Sequence, residues 1–120
     1  VKKLMCVINQ PPYANSHVLE LLETAMVAAV FDMQVSLLFR DEGLWSLLKP
    51  QNADPLGQRT LSKVLLAMPD YDVNSIYVCA DTLRDKQLKT DELVLPVTLL
   101  NKPAQADLMS EQDVVMGAGT

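Results

Sequence analysis

The 120 residues predict an α/β fold: a single-domain three-layer sandwich on a mainly parallel five-stranded sheet, spanning 1–120. Two observations carry this. Short apolar runs, Leu4 to Ile8 and Val35 to Phe39, show almost no polar alternation, as expected of strands covered on both faces. Stretches with helical spacing separate such runs, and strands alternating with helices pair in parallel. The length suits one hydrophobic core.

The elements follow in order. Leu4 to Ile8 is the first strand, and Asn9-Gln10-Pro11-Pro12-Tyr13-Ala14-Asn15 ends it, because two prolines and two asparagines favour a loop. Ser16 is a suitable N-cap for a helix reaching about Phe31. Val35 to Phe39 is the second strand. Asp41 to Leu48 reads as a short helix with Leu44, Leu47 and Leu48 on one face. The longest loop is expected at 49–58, which holds Pro50, Asn52, Asp54, Pro55 and Gly57. Arg59 to Met68 returns to helical spacing, and Pro69 stops it. Ser75 to Cys79 is the third strand, followed by a short helix from Asp81. A fourth strand lies within Leu93 to Leu100, limited by Pro96. A helix at Ala104 to Met109 and a strand at Asp113 to Met116 close the order.

Charge and composition narrow the function. The chain is 49% hydrophobic but only 5% aromatic, so aliphatic side chains build the core. A net charge of −5, with only Lys2-Lys3 and Lys86/Lys89 as basic groupings, argues against direct nucleic-acid binding. The longest apolar run, Ala25 to Phe31, is far short of a membrane span. Neither an export pattern nor a disulfide framework is evident, so a cytoplasmic protein with reduced Cys6 and Cys79 is expected. The helix at 16–31 carries an apolar surplus. Ser16, Glu20, Glu23, Thr24 and Val27 share roughly a third of its circumference, and nearly everything else is apolar. Cover by a second subunit explains the surplus most simply; loop 49–58 folding over it is the alternative.

Cys79 is the candidate for chemistry. It ends a strand and precedes a helix, where ligands gather in open α/β sheets and where unpaired N–H groups favour a thiolate. Such a thiolate can carry sulfur as a persulfide. The alternative is a packed cysteine acting as a small hydrophobe. Arg84 is a candidate partner for the anion or a solvated helix residue, and Asp81 is expected as the N-cap. His17, the only histidine, is a candidate partner at the same rim or a surface residue. Cys6 reads as core. Trp45 falls off its leucine face, at an interface or beside the long loop. One histidine and two distant cysteines offer no metal spacing, and four scattered glycines form no phosphate loop, so no metal or cofactor is expected.

Four segments resemble the DsrE/DsrF-like sulfur-relay family, most closely its TusC/DsrF branch. They are Lys3 to Ile8 running into Gln10-Pro11-Pro12-Tyr13; Phe39-Arg40-Asp41-Glu42-Gly43-Leu44-Trp45-Ser46-Leu47-Leu48; Tyr71-Asp72-Val73 through Val78-Cys79-Ala80-Asp81-Thr82-Leu83-Arg84; and Ala106 to Met109 through Asp113-Val114-Val115. The resemblance implies a hexamer with related TusB- and TusD-like subunits, between upstream and downstream sulfur-carrier proteins. It implies persulfide transfer toward tRNA wobble-uridine 2-thiolation, or toward intracellular sulfur oxidation. It implies Cys79 as the matched cysteine, in a sulfurtransferase-type or a structural subunit. Where the family reads Arg-x-x-Gly, this chain has Arg84-Asp85-Lys86-Gln87, and Ala14 stands in place of a loop glycine.

Overall fold

A computed structural model describes residues 1–12, 17–49 and 56–117, the side chains of 56–60 excepted. The strands are β1 (Lys3–Ile8), β2 (Gln34–Phe39), β3 (Ser75–Cys79), β4 (Thr98–Leu100) and β5 (Val114–Gly117). The helices are α1 (His17–Val30), α2 (Leu56–Ala67), α3 (Ala80–Asp85) and α4 (Lys102–Ser110), with 3-10 segments at Asp41–Leu47 and Met68–Tyr71. The five strands lie in the order β4-β3-β2-β1-β5, and every pairing is parallel.

Several boundaries differ from the sequence expectation, among them α4, which starts at Lys102 rather than Ala104, and β5, which runs Val114–Gly117 rather than Asp113 to Met116. Helix α2 begins at Leu56 rather than Arg59, so it takes in Gly57, a residue that costs a helix only about 1 kcal/mol against alanine. Helix α3 begins at Ala80, which puts Cys79 itself at the N-cap and moves Asp81 into the first turn. Strand β4 shrinks to three residues. The expected Ser16 cap, Ala14 and the 50–55 part of the long loop lie outside the described residues.

The topology builds two unequal layers. From β1 to β4 the chain steps steadily toward one edge, and it then returns across the whole sheet to place β5 beside β1. Right-handed crossovers require the return connection to run over the opposite face. The first face is accordingly covered by α1, α2, α3 and the 3-10 segments. There Leu4, Cys6, Ile8, Leu37, Phe39 and Val78 pack against Val18, Leu22, Ala25, Leu44, Leu65 and Leu83. Among the described residues the second face has only α4, whose Leu108 and Met109 meet Met5, Val7, Leu38 and Tyr77. Nine residues of helix rise only about 14 Å, too little to roof five strands.

Gly43 joins the 3-10 segment to the sheet: a Cβ there would collide with the carbonyl of Ile8. The Ile8 carbonyl also accepts the N–H of Arg40 at 3.0 Å, so this approach fixes the chain leaving β2. Helix ends use other residues where glycine is common. After α3, Gln87 takes a left-handed conformation (φ 57°), its N–H reaches the Arg84 carbonyl, and the Leu88 N–H reaches Leu83 at 3.1 Å. That is a Schellman ending with glutamine at the left-handed position, the place of the absent glycine. Asp32 (φ 66°) ends α1 in the same pattern, with the Met33 N–H on the Ala28 carbonyl.

The outer side of α1 is mixed: His17, Glu20, Glu23 and Thr24 are exposed beside Val27 and Val30, while most of the apolar surplus is buried or half-buried within this chain. Val27, Val30 and neighbouring Phe31 are 57%, 63% and 76% exposed. With Glu23, Met26 and Tyr71, the two valines line an open groove.

Candidate functional site

Cys79 lies at the carboxyl end of β3. Alternation along the strand puts Val78 in the first-face core, so Tyr77 and Cys79 point to the second face. Beside it, β3 leaves the sheet through α3 on the first face, while β4 leaves through α4 on the second. Connections that part to opposite faces open a crevice between neighbouring strand ends, the usual ligand position in open α/β sheets. A cavity of about 280 Å³ occupies this crevice, lined by Arg40, Asp41, Cys79, Lys102, Gln105, Ala106 and Met109. The cysteine forms part of its lining and is itself only 2% exposed.

The electrostatics of the sulfur follow from its neighbours. Burial works against the thiolate. The hydroxyl and N–H of Thr82, the Gln105 side chain and the Asp81 N–H outweigh it and hold Cys79 below the ordinary thiol value. The Thr82 oxygen accepts the Asp41 N–H at 3.1 Å, which orients the hydroxyl and leaves its proton for sulfur. Gln105 is 2% exposed, and its Nε2 donates to the Leu100 carbonyl at 3.1 Å. Both side-chain donors are therefore held in place by a second bond. Cys6 is the opposite case: fully buried on the first face, its thiol is pushed up to about 11 by desolvation.

The other residues singled out in the sequence lie elsewhere. Arg84 is 71% exposed in its side chain and pairs with Asp81 at 3.3 Å and Asp85 at 3.5 Å. His17 opens α1, is exposed, and is not among the residues lining the cavity. Trp45 belongs to a small surface cluster: its Nε1 donates to Glu42 at 2.8 Å, and Lys86 pairs with Glu42 at 2.9 Å and sits 4.8 Å from the ring centre. The Lys86 hydrogen bond, helped by Trp45, lowers the Glu42 carboxyl below its usual value.

Four residues around Cys79 escape sequence reasoning. Thr82 carried a signal, since a hydroxyl three residues after an N-cap position can reach back to it. Arg40, Lys102 and Gln105 arrive from β2 and α4, and only the strand order places them there. No cluster of three or more metal-ligating side chains occurs among the described residues, nor any helix long and apolar enough to cross a membrane.

Known proteins share this architecture. The profile of the DsrE/DsrF-like family matches residues 2–117. The chain is 32% identical over 115 residues to a protein of Pseudomonas aeruginosa named TusC homolog, covering 96% of this chain and 97% of that one. It is 35% identical over 94 residues to the intracellular sulfur oxidation protein DsrF of Allochromatium vinosum, covering 78% and 69%. Its fold matches the crystal structure of the ychN protein from E. coli with a TM-score of 0.81 at 16% identity, over 98% and 99% of the two chains.

Proposed function

The chain belongs to the DsrE/DsrF-like family, and from that premise we propose that it is a sulfur-relay subunit in which Cys79 carries persulfide sulfur between protein cysteines. The observation that supports this reading is the contrast between the two thiols. Cys79 borders a cavity and is held below its ordinary value by oriented donors, whereas Cys6 is sealed and pushed up.

The chemistry needs no cofactor. The Cys79 thiolate attacks the outer sulfur of a donor persulfide, the donor's S–S bond breaks, and the donor leaves as a thiolate. An acceptor thiolate then attacks the outer sulfur of the Cys79 persulfide, and Cys79 leaves in turn. A lowered thiol value raises the attacking population in the first step and improves the leaving group in the second.

The near-full-length match to a TusC homolog favours delivery toward tRNA wobble-uridine 2-thiolation in the cytoplasm. The DsrF likeness supports sulfur oxidation as the second reading. TusB- and TusD-like subunits are the proposed partners, docked at the exposed Val27, Val30 and Phe31 around the end of α1, within a domain spanning 1–120.

Intact mass after incubation with a persulfidated carrier protein tests the relay. A gain of about 32 Da, one sulfur, mapped to the Cys79 peptide and absent in Cys79→Ser supports it. An adduct elsewhere, or none, with partner subunits present would sink the carrier role and leave an assembly subunit. Native mass tests the assembly: persistence as a monomer beside partner subunits would count against it.

A further inference from the structure

We infer that the cavity beside Cys79 admits a small sulfur oxyanion of the thiosulfate class, which charges the cysteine directly without a donor protein. The inference rests on Cys79 being the sulfur carrier and adds the substrate class of that site. Size comes first. The cavity, at about 280 Å³, falls just below the ~300–1,000 Å³ typical of drug-sized ligands. It is several times the ~30 Å³ share of one liquid water, enough for a five-atom anion and its departing fragment.

Charge comes second. A thiolate and a dianion repel, so their meeting requires fixed cations. Arg40 and Lys102 line the cavity against a single carboxylate, Asp41. Neither cation is ion-paired with a carboxylate among the described residues. The Nε of Arg40 is buried with no hydrogen-bond partner. A guanidinium with no carboxylate partner that lines a cavity is a ready partner for an oxyanion. Register aims it correctly: Phe39 lies beside Val78, so the next residue along each strand, Arg40 and Cys79, share the second face.

The reaction balances. The Cys79 thiolate attacks the outer sulfur of thiosulfate and forms a new S–S bond. The anion's own S–S bond breaks, and its electron pair leaves on sulfite. A monoanion and a dianion yield a monoanion and a dianion, and no external oxidant or reductant takes part.

The test incubates the reduced protein with sodium thiosulfate, measuring sulfite release and the sulfur adduct on the Cys79 peptide. One sulfite per adduct is expected, with none in Cys79→Ser. Arg40→Gln and Lys102→Gln should each slow loading about tenfold, Arg40→Lys should retain most of the rate, and Asp41→Asn should raise it. Added salt should slow the wild type. Lys102 is exposed at the start of α4, so its variant separates charge from folding. No thiosulfate adduct, while a persulfidated carrier loads Cys79, overturns the inference and leaves the relay intact. Equal rates in the Arg40, Lys102 and Asp41 variants overturn it too. Failure of both donors removes the carrier role along with it.

Discussion

The two faces of the sheet solve the same problem with different means. On the first, three helices and two 3-10 segments bury a continuous aliphatic core, and desolvation favours the neutral thiol of the cysteine within it. On the second, one short helix covers a few side chains and leaves a cavity against the other cysteine. The same residue type on adjoining faces of one sheet thus has opposite character. Dense cover removes every ligand for a thiolate, while sparse cover leaves space and brings oriented donors.

Differential alkylation breaks or sharpens this contrast most directly. Burial pushes the Cys6 thiol up to about 11, while oriented donors hold Cys79 below the ordinary thiol value, so at pH 8 the thiolate is far more populated at Cys79. Iodoacetamide labelling of the native protein should modify the Cys79 peptide and spare Cys6; comparable rates would erase the distinction. Next in size, Gly43→Ala drives a methyl group into the Ile8 carbonyl and should cost about 3 kcal/mol or more in urea unfolding. A loss under about 1 kcal/mol would mean that the first-face packing yields easily.

Truncation compares the two layers. Leu22→Ala, in the dense face, should cost about 3 kcal/mol. Met109→Ala, half-buried under a thin layer, should cost about 1 kcal/mol. Equal losses would show the faces to be energetically alike. Thr82→Val removes the hydroxyl's bond to the sulfur, worth about 1 kcal/mol, together with its bond from the Asp41 N–H, and should slow Cys79 alkylation at pH 7 about fivefold. The sign extends to stability. A thiol lowered by folding adds stability above its unfolded value, and that stability fades as pH falls through the folded value. Cys79→Ser should therefore lose ground against wild type as pH rises from 7 to 9, which chemical denaturation at each pH can read. The smallest effect concerns Gln87. Replacing it with glycine relieves a left-handed side chain and should raise stability by about 0.5–1 kcal/mol.

Legibility in the sequence followed the range of the interactions. Local apolar runs announced β1, β2 and β3, and the alternation of strands with helices announced a parallel sheet, because both depend on neighbours within a few residues. The strand-to-helix position of Cys79 was readable for the same reason. Strand β4 was blurred because three residues carry little pattern. Arg40, Lys102 and Gln105 were invisible as a group, since β2 and α4 meet only through the long return crossover. Arg84 looked attractive by proximity in sequence, yet a helix turn carries it toward Asp81 and Asp85.

The return crossover has a further consequence, in time rather than space. Strand β5 pairs Val114 with Leu4 and Val115 with Met5, so these contacts join distant parts of the chain and carry a large loop-closure cost. A chain folded only through β4 would already have the dense layer, with Cys79 at a strand end. It lacks the wall formed by Lys102, Gln105, Ala106 and Met109. In such a species the thiol has lost one of its donors and its binding volume, and β1 presents an unpaired edge. The sulfur chemistry proposed for Cys79 would thereby be tied to docking of the last helix and strand, and an incompletely folded chain would present the cysteine without the wall of its cavity.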